Sequence, residues 1–173
     1  MPCTGRVEET VSARLSDIEK ARIIERMCNF IPHCRHLGIR LEQVVGEKLT
    51  LRLPYRPELV GNPDTGVIHS GVLTVLLDQT LGKASICCDQ VESMITPTLD
   101  LRIDHLGAAP AGQDILACAK VYKATRRILF VEGFAYSQSR DEPIARATGT
   151  WVQMRELNLE GLLKKSQAGA QQQ

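Results

Sequence analysis

The hydrophobic pattern is densest from Val72 to Leu77, where every position but Thr74 is apolar; a carboxylate follows at Asp78, and apolar residues return at Leu81, Ala84, Ile86 and Cys87. Apolar nearly all round, this stretch predicts a buried helix. Steps of four and seven residues return to one helical face, so Thr74, Asp78 and Ser85 share a stripe. A carboxylate there is costly to bury without a partner or a chemical task. Just ahead of it, His69-Ser70-Gly71 is a small polar step that predicts the helix N-terminus, with unpaired backbone N–H groups at the positive end of the dipole.

Elsewhere the pattern changes period. Ser16-Asp17-Ile18-Glu19 has the form of a capping box, and Leu15, Ile18, Ala21, Ile24 and Met27 follow at helical spacing up to Phe30. This is an amphipathic N-terminal helix stopped before Pro32, placed to pack on a sheet or to cap a channel. After Gly38 the period becomes two, with Ile39, Leu41 and Gln43 on one side, a Gly46-Glu47 turn, then Leu49, Leu51 and Leu53: a hairpin. Pro54, Pro57 and Pro63, with Gly61 and Gly66, make a long connection to the central helix. Beyond that helix, strand character returns over 94–106, 114–123, 128–138 and 144–154. In the first of these, Leu99, Leu101 and Ile103 face one way and Thr98, Asp100, Arg102 and Asp104 the other. The fold class is therefore α+β: an antiparallel sheet of five to six strands wrapped around one long helix, with an extra N-terminal helix.

Composition narrows the picture. A chain of 173 residues, 43% hydrophobic and 24% charged, fits one globular domain with its own core. The domain is read as residues 15–156, between a loosely ordered stretch 1–14 and a polar tail 157–173. A net charge of +1 and 4% aromatic residues offer neither a basic face for a phosphate backbone nor rings to stack bases, so no nucleic-acid partner is expected. Residues 1–10 carry Arg6, Glu8 and Glu9 without an apolar core, unlike a secretory signal. No run approaches the ~18 apolar residues of a membrane span, and a cytoplasmic protein with no membrane contact is expected. The six cysteines are read as free thiols, since Cys87 and Cys88 are adjacent in an apolar stretch. Cys28, His33, Cys34 and His36 cluster locally, but their spacing fits no usual zinc pattern, and no metal is expected.

The chemistry concentrates around the central helix. Its N-terminus can hold a developing oxyanion. Asp78 lies nine residues beyond His69, about two and a half turns or roughly 13 Å along the axis, too far for both to meet one small group within a single chain. A second copy packed antiparallel across a dimer axis would bring Asp78 of one chain to the His69-Ser70 end of the other.

These residues resemble a known family. A His-Gly-Gly step, an apolar helix and an acid nine residues after the His form the signature of hot-dog-fold acyl-CoA thioesterases, specifically the phenylacetate-pathway (PaaI-like) group of the 4-hydroxybenzoyl-CoA thioesterase superfamily. The resemblance spans 37–155, and Ser70 stands where the family usually has a glycine. It implies that the amide N–H of Ser70, with Gly71 as a second donor, polarises a thioester carbonyl. Asp78 of the partner subunit then activates water or attacks directly, His69 fixes the loop, and Thr98 stands beside the acid. Asn62 is a further candidate for holding water or the carbonyl, with Asp64 competing and turn formation as the plain alternative for both. Lys123, Arg126 and Arg127 form either a solvated hairpin tip or a clamp for the phosphates of coenzyme A.

The activity implied is hydrolysis of an acyl-CoA by a homodimer with interfacial sites, assembled as a dimer of dimers, with coenzyme A as part of the substrate and no separate cofactor. The apolar helix, with Met94, Ile95 and Phe130, points to an aromatic or medium-chain acyl group. Two rivals share the fold: a non-catalytic acyl-CoA-binding module, and an enoyl-CoA hydratase or dehydratase.

Overall fold

The computed structural model describes residues 14–91 and 96–154; the segment 1–13, Met94, Ile95 and the tail 157–173 lie outside them. Helix α1 (Asp17–Phe30) opens with the expected capping box: the Glu19 N–H donates to Ser16 Oγ, and the Ser16 N–H donates to Glu19 Oε2 at 2.8 Å. Pro32 does more than stop this helix. With its fixed φ it begins a second short one, α2 (Pro32–Leu37), which closes on Gly38 in the left-handed region at φ 73°.

Strands β1 (Arg40–Val45) and β2 (Lys48–Leu53) form the predicted hairpin, with one difference. A bulge between Leu41 and Gln43 shifts the register, so Gln43 is exposed and Val44 packs against the core instead. The proline-rich connection is also more ordered than a loop. A 3₁₀ turn at Pro57–Leu59 leads into β3 (Val60–Asn62), which pairs with β4 (Val67–Ile68) in a separate two-stranded sheet.

Helix α3 (Ser70–Lys83) follows and ends earlier than the apolar pattern implies; the chain tightens into a 3₁₀ turn at Ala84–Cys87, where Ser85 is buried and donates to Gly82 O. Then come β5 (Thr98–His105), β6 (Ile115–Ala124), β7 (Ile128–Tyr136) and β8 (Ala145–Val152). The main sheet has six antiparallel strands in the order β1-β2-β6-β7-β8-β5. Its concave face presents Leu49, Leu51, Ala117, Leu129, Val131 and Trp151 to Leu76, Leu77 and Leu81 of α3, all but out of water. Each such leucine contributes about 1.5–3 kcal/mol. This is the sheet wrapped on a central helix that the hydrophobic pattern predicts. It is the hot-dog arrangement.

Two departures bear on the site. In the isolated chain α3 is not buried all round: Ser70, Gly71 and Thr74 are exposed, and Asp78 is half-buried. Phe130, expected near an apolar pocket, instead sits opposite Thr150 on the face turned away from α3, 6.2 Å from the Tyr122 ring, because the strand alternation gives the concave side to Leu129 and Val131.

Candidate active site

Helix α3 carries polar groups at both ends, each beside its own cavity. At the N-terminal end His69 is the cap, its Nδ1 accepting from the Gly71 N–H at 3.0 Å, while the Val72 N–H donates to His69 O at 2.9 Å. The Gly71 amide is therefore committed to the turn. The Ser70 N–H is the donor left open among the described residues at this terminus, where the helix dipole is positive.

The small sheet β3–β4 fixes this end in place. Gly61 is a close approach: a Cβ there would lie 2.7 Å from His69 Cα, so any side chain would push the histidine out of position. The His69 N–H also donates to Leu59 O at 2.8 Å. Asn62 spends its oxygens on its own turn, its Oδ1 accepting from the Asp64 N–H at 3.0 Å and its carbonyl from Gly66 at 2.9 Å. It nonetheless lines a cavity of about 540 Å³ with His69, Ser70, Leu73, His105 and Ala108, a wall that Asp64 does not join.

The acid sits at the other end. Thr98 Oγ1 donates to Asp78 Oδ1 at 2.8 Å, and Gln79 Nε2 donates to Asp78 Oδ2 at 3.3 Å. Strict alternation along β5 would turn Thr98 toward the side of Asp100. A bulge at Leu99 reverses it: Thr98 pairs with Trp151, Asp100 with Thr150 and Leu101 with Gly149, so Thr98 shares the helix side with Trp151. The cavity here, about 200 Å³, is lined by Asp78, Gln79, Lys83, Thr98 and Trp151, with Met27 and Ile31 closing it from α1 and the α1–α2 junction. Gln79 and Lys83 were not singled out from sequence, since a glutamine and a lysine in the last turns of a helix look like ordinary solvated residues. Lys83 is in fact 4% exposed.

Other candidates separate. Cys28 and Cys34 point inward while His33 and His36 are exposed, so the four do not converge. Burial pushes the Cys28 thiol up to about 11 and raises that of Cys34, each against the opposing influence of the Lys83 charge. Lys123, Arg126 and Arg127 are exposed at the β6–β7 hairpin, and among the described residues their side chains make no ion pair or hydrogen bond. That hairpin lies at the acid's end of the sheet, because Ile128 pairs with Val152, whose N–H donates to Pro97 O at 2.9 Å.

A concave six-stranded sheet around a helix with one open amide at its start and a held carboxylate toward its end defines a hot-dog protein. Comparison with known proteins agrees. The thioesterase superfamily model matches residues 65–144. A solved Pseudomonas aeruginosa protein is 37% identical, covers 78% of this chain and 99% of its own, and superposes with a TM-score of 0.71. The medium/long-chain acyl-CoA thioesterase YigI of Escherichia coli is 24% identical over 155 residues, which cover 82% of this chain and 99% of YigI. The PaaI protein of the Escherichia coli phenylacetic acid degradation operon has the same fold (TM-score 0.67, 19% identity, covering 80% of this chain and 96% of that one).

The chain belongs to the thioesterase superfamily. Within it, the chain is a hydrolase with the hot-dog fold that the PaaI protein shares.

Proposed function

We propose that the protein hydrolyses the thioester of an acyl-CoA with an apolar acyl group, aromatic or medium-chain, and that each site is shared between two copies. The observation that carries this reading is Asp78: a half-buried carboxylate held by the Thr98 hydroxyl at 2.8 Å in a small cavity walled by Met27, Ile31 and Trp151. The open Ser70 amide stands about two turns or more away along the same helix, beside a different cavity. A second copy bringing its Ser70 end to this Asp78 would complete one site and, by symmetry, its twin.

Two surfaces support such pairing. Strand β5 is an edge of the sheet, with Leu99 within it and Leu106 just beyond it exposed at 58% and 56%, and it runs beside the uncovered stripe of α3. The opposite edge, β1, is covered by α1. Further pairing through the outer face, where the Tyr122 and Phe130 rings meet at a tilt, would give a dimer of dimers.

In the reaction, the Ser70 N–H polarises the carbonyl as its oxygen takes up charge. Asp78 of the other copy acts as general base toward water, or as nucleophile, with Thr98 orienting it. Lys123, Arg126 and Arg127 at the acid's end hold the phosphates of coenzyme A. His69 keeps the turn, and Asn62 borders the carbonyl's side of the site. This reading invokes no metal or separate cofactor and takes the cytoplasm as the setting; among the described residues no helix is long and apolar enough to cross a membrane.

The test is thiol release from a panel of acyl-CoAs. Turnover by the wild-type chain and loss of it in Asp78→Asn, by about a hundred-fold or more with assembly unchanged, supports the reading. Binding without thiol release points to a non-catalytic module, and a wild-type rate in Asp78→Asn removes that residue from the chemistry. Sharing is tested by co-expressing Asp78→Asn chains with chains disabled at the other end by Gly61→Val. Random pairing restores about a quarter of the wild-type sites if they are shared, and none if each chain holds a whole site.

A further inference from the structure

Lys83 is an unusual residue for the interior of this fold. It is 4% exposed and, among the described residues, it has no carboxylate within ion-pair reach. Its ammonium donates to Gln79 Oε1, and Cys34 Sγ lies 3.9 Å away. A buried cation without a counter-charge is expensive, and an apolar side chain of similar length would fill the same space at less cost. Its position explains what the charge achieves.

Gln79 is the link between this cation and Asp78. Its Oε1 accepts from two donors, Lys83 Nζ and the Cys34 thiol at 3.2 Å. With the oxygen so engaged, the amide has one orientation open to it, and its Nε2 faces Asp78 Oδ2 at 3.3 Å. Thr98 supplies the other carboxylate oxygen with its own donor at 2.8 Å. Each oxygen of Asp78 therefore receives one hydrogen bond and keeps a lone pair for the cavity. A direct Lys83–Asp78 ion pair would instead engage the carboxylate with the cation; a neutral amide between them aims the group without occupying it.

We infer that Gln79 and Lys83 are positioning residues for Asp78, with Lys83 acting through Gln79 by locking the direction of its side-chain amide. This inference rests on the thioester-hydrolysis reading of the site.

The discriminating variant is Gln79→Glu. It keeps an oxygen on Lys83, now as an ion pair, but replaces the N–H donor to Asp78 by a second carboxylate oxygen. A purely structural role for Gln79 predicts a protein as stable as wild type and as active. The expected result is an unchanged or raised thermal midpoint with kcat lowered about ten-fold or more and KM within about two-fold. Lys83→Met, which preserves volume, should lower kcat in the wild-type background and have no further effect in a Gln79→Met background, because the cation works only through the amide.

Undiminished kcat in folded Gln79→Glu overturns the inference. So does a Lys83→Met loss of equal size with and without Gln79. Absence of thioester turnover by the wild-type chain would overturn the functional reading together with this one, whereas wild-type turnover with fully active Gln79→Glu overturns this one alone.

Discussion

Replacing Thr98 by valine deletes one hydroxyl and leaves the branched shape of the side chain. The hydroxyl donates to Asp78 Oδ1 at 2.8 Å, an ordinary length for an O–H···O hydrogen bond. Hydrogen bonds to charged groups contribute about 1.5–3 kcal/mol. Thr98 is exposed in the isolated chain, so water competes for the same oxygen and the lower end applies. A loss of about 1.5 kcal/mol at the transition state lowers kcat/KM roughly ten-fold. Valine suits a strand as well as threonine does, so the thermal midpoint should stay put. Thr98→Ser, which keeps the hydroxyl, should recover most of the rate. The assay is continuous capture of released coenzyme A by a chromogenic disulfide. The five described thiols interfere little, since they are buried and burial pushes Cys28 up to about 11 and Cys87 up to about 12. Wild-type kcat/KM in Thr98→Val, with Asp78→Asn inactive, would show that Thr98 is an ordinary strand residue and that the carboxylate needs no second holder.

Further outcomes can be checked separately. Gly61→Ala places a methyl 2.7 Å from His69 Cα, so His69 and the Ser70 amide must shift; kcat/KM should fall about ten-fold or more while the melting transition moves little, and an unshifted rate would show that this end of α3 tolerates displacement. Asp114 is held below the usual carboxylate range, first by the Tyr55 N–H at 2.9 Å and then by Arg52. A lowered folded-state value gives stability that is present above the unfolded value of about 3.9 and is lost as pH falls through the folded one. Asp114→Asn should therefore be less stable than wild type at neutral pH and lose less on acidification below about pH 4, as read from urea midpoints; parallel acid limbs would contradict it. Ser16→Ala removes the capping box of α1 and should cost about 1 kcal/mol in the same titration; no change would mean that α1 is held by its packing on β1 alone.

Much of the architecture was legible because it is written in local periodicity. Ser16 and Glu19 announce the start of α1, Gly46-Glu47 the first hairpin, and the apolar run through Leu77 the helix that fills the sheet. Both ends of the candidate site, His69-Ser70 and Asp78, were visible for the same reason, as polar interruptions in an apolar stretch. What escaped was whatever depends on register or on a neighbour distant in the chain. Alternation put Thr98 on the wrong face until the Leu99 bulge turned it to Asp78. Gly61, read only as part of the long connection, is a contact surface for His69.

The sequence by itself determined the elements, their order, and which helix would lie inside, since burial patterns of period two and 3.6 follow from backbone geometry alone. Only the tertiary structure decided that Gln79 and Lys83 stand with Asp78 rather than in water, and that the Ser70 amide is the open donor while Gly71 is bound to His69. A side chain's partner is chosen by strands and helices that meet across tens of residues, and no local pattern records that choice.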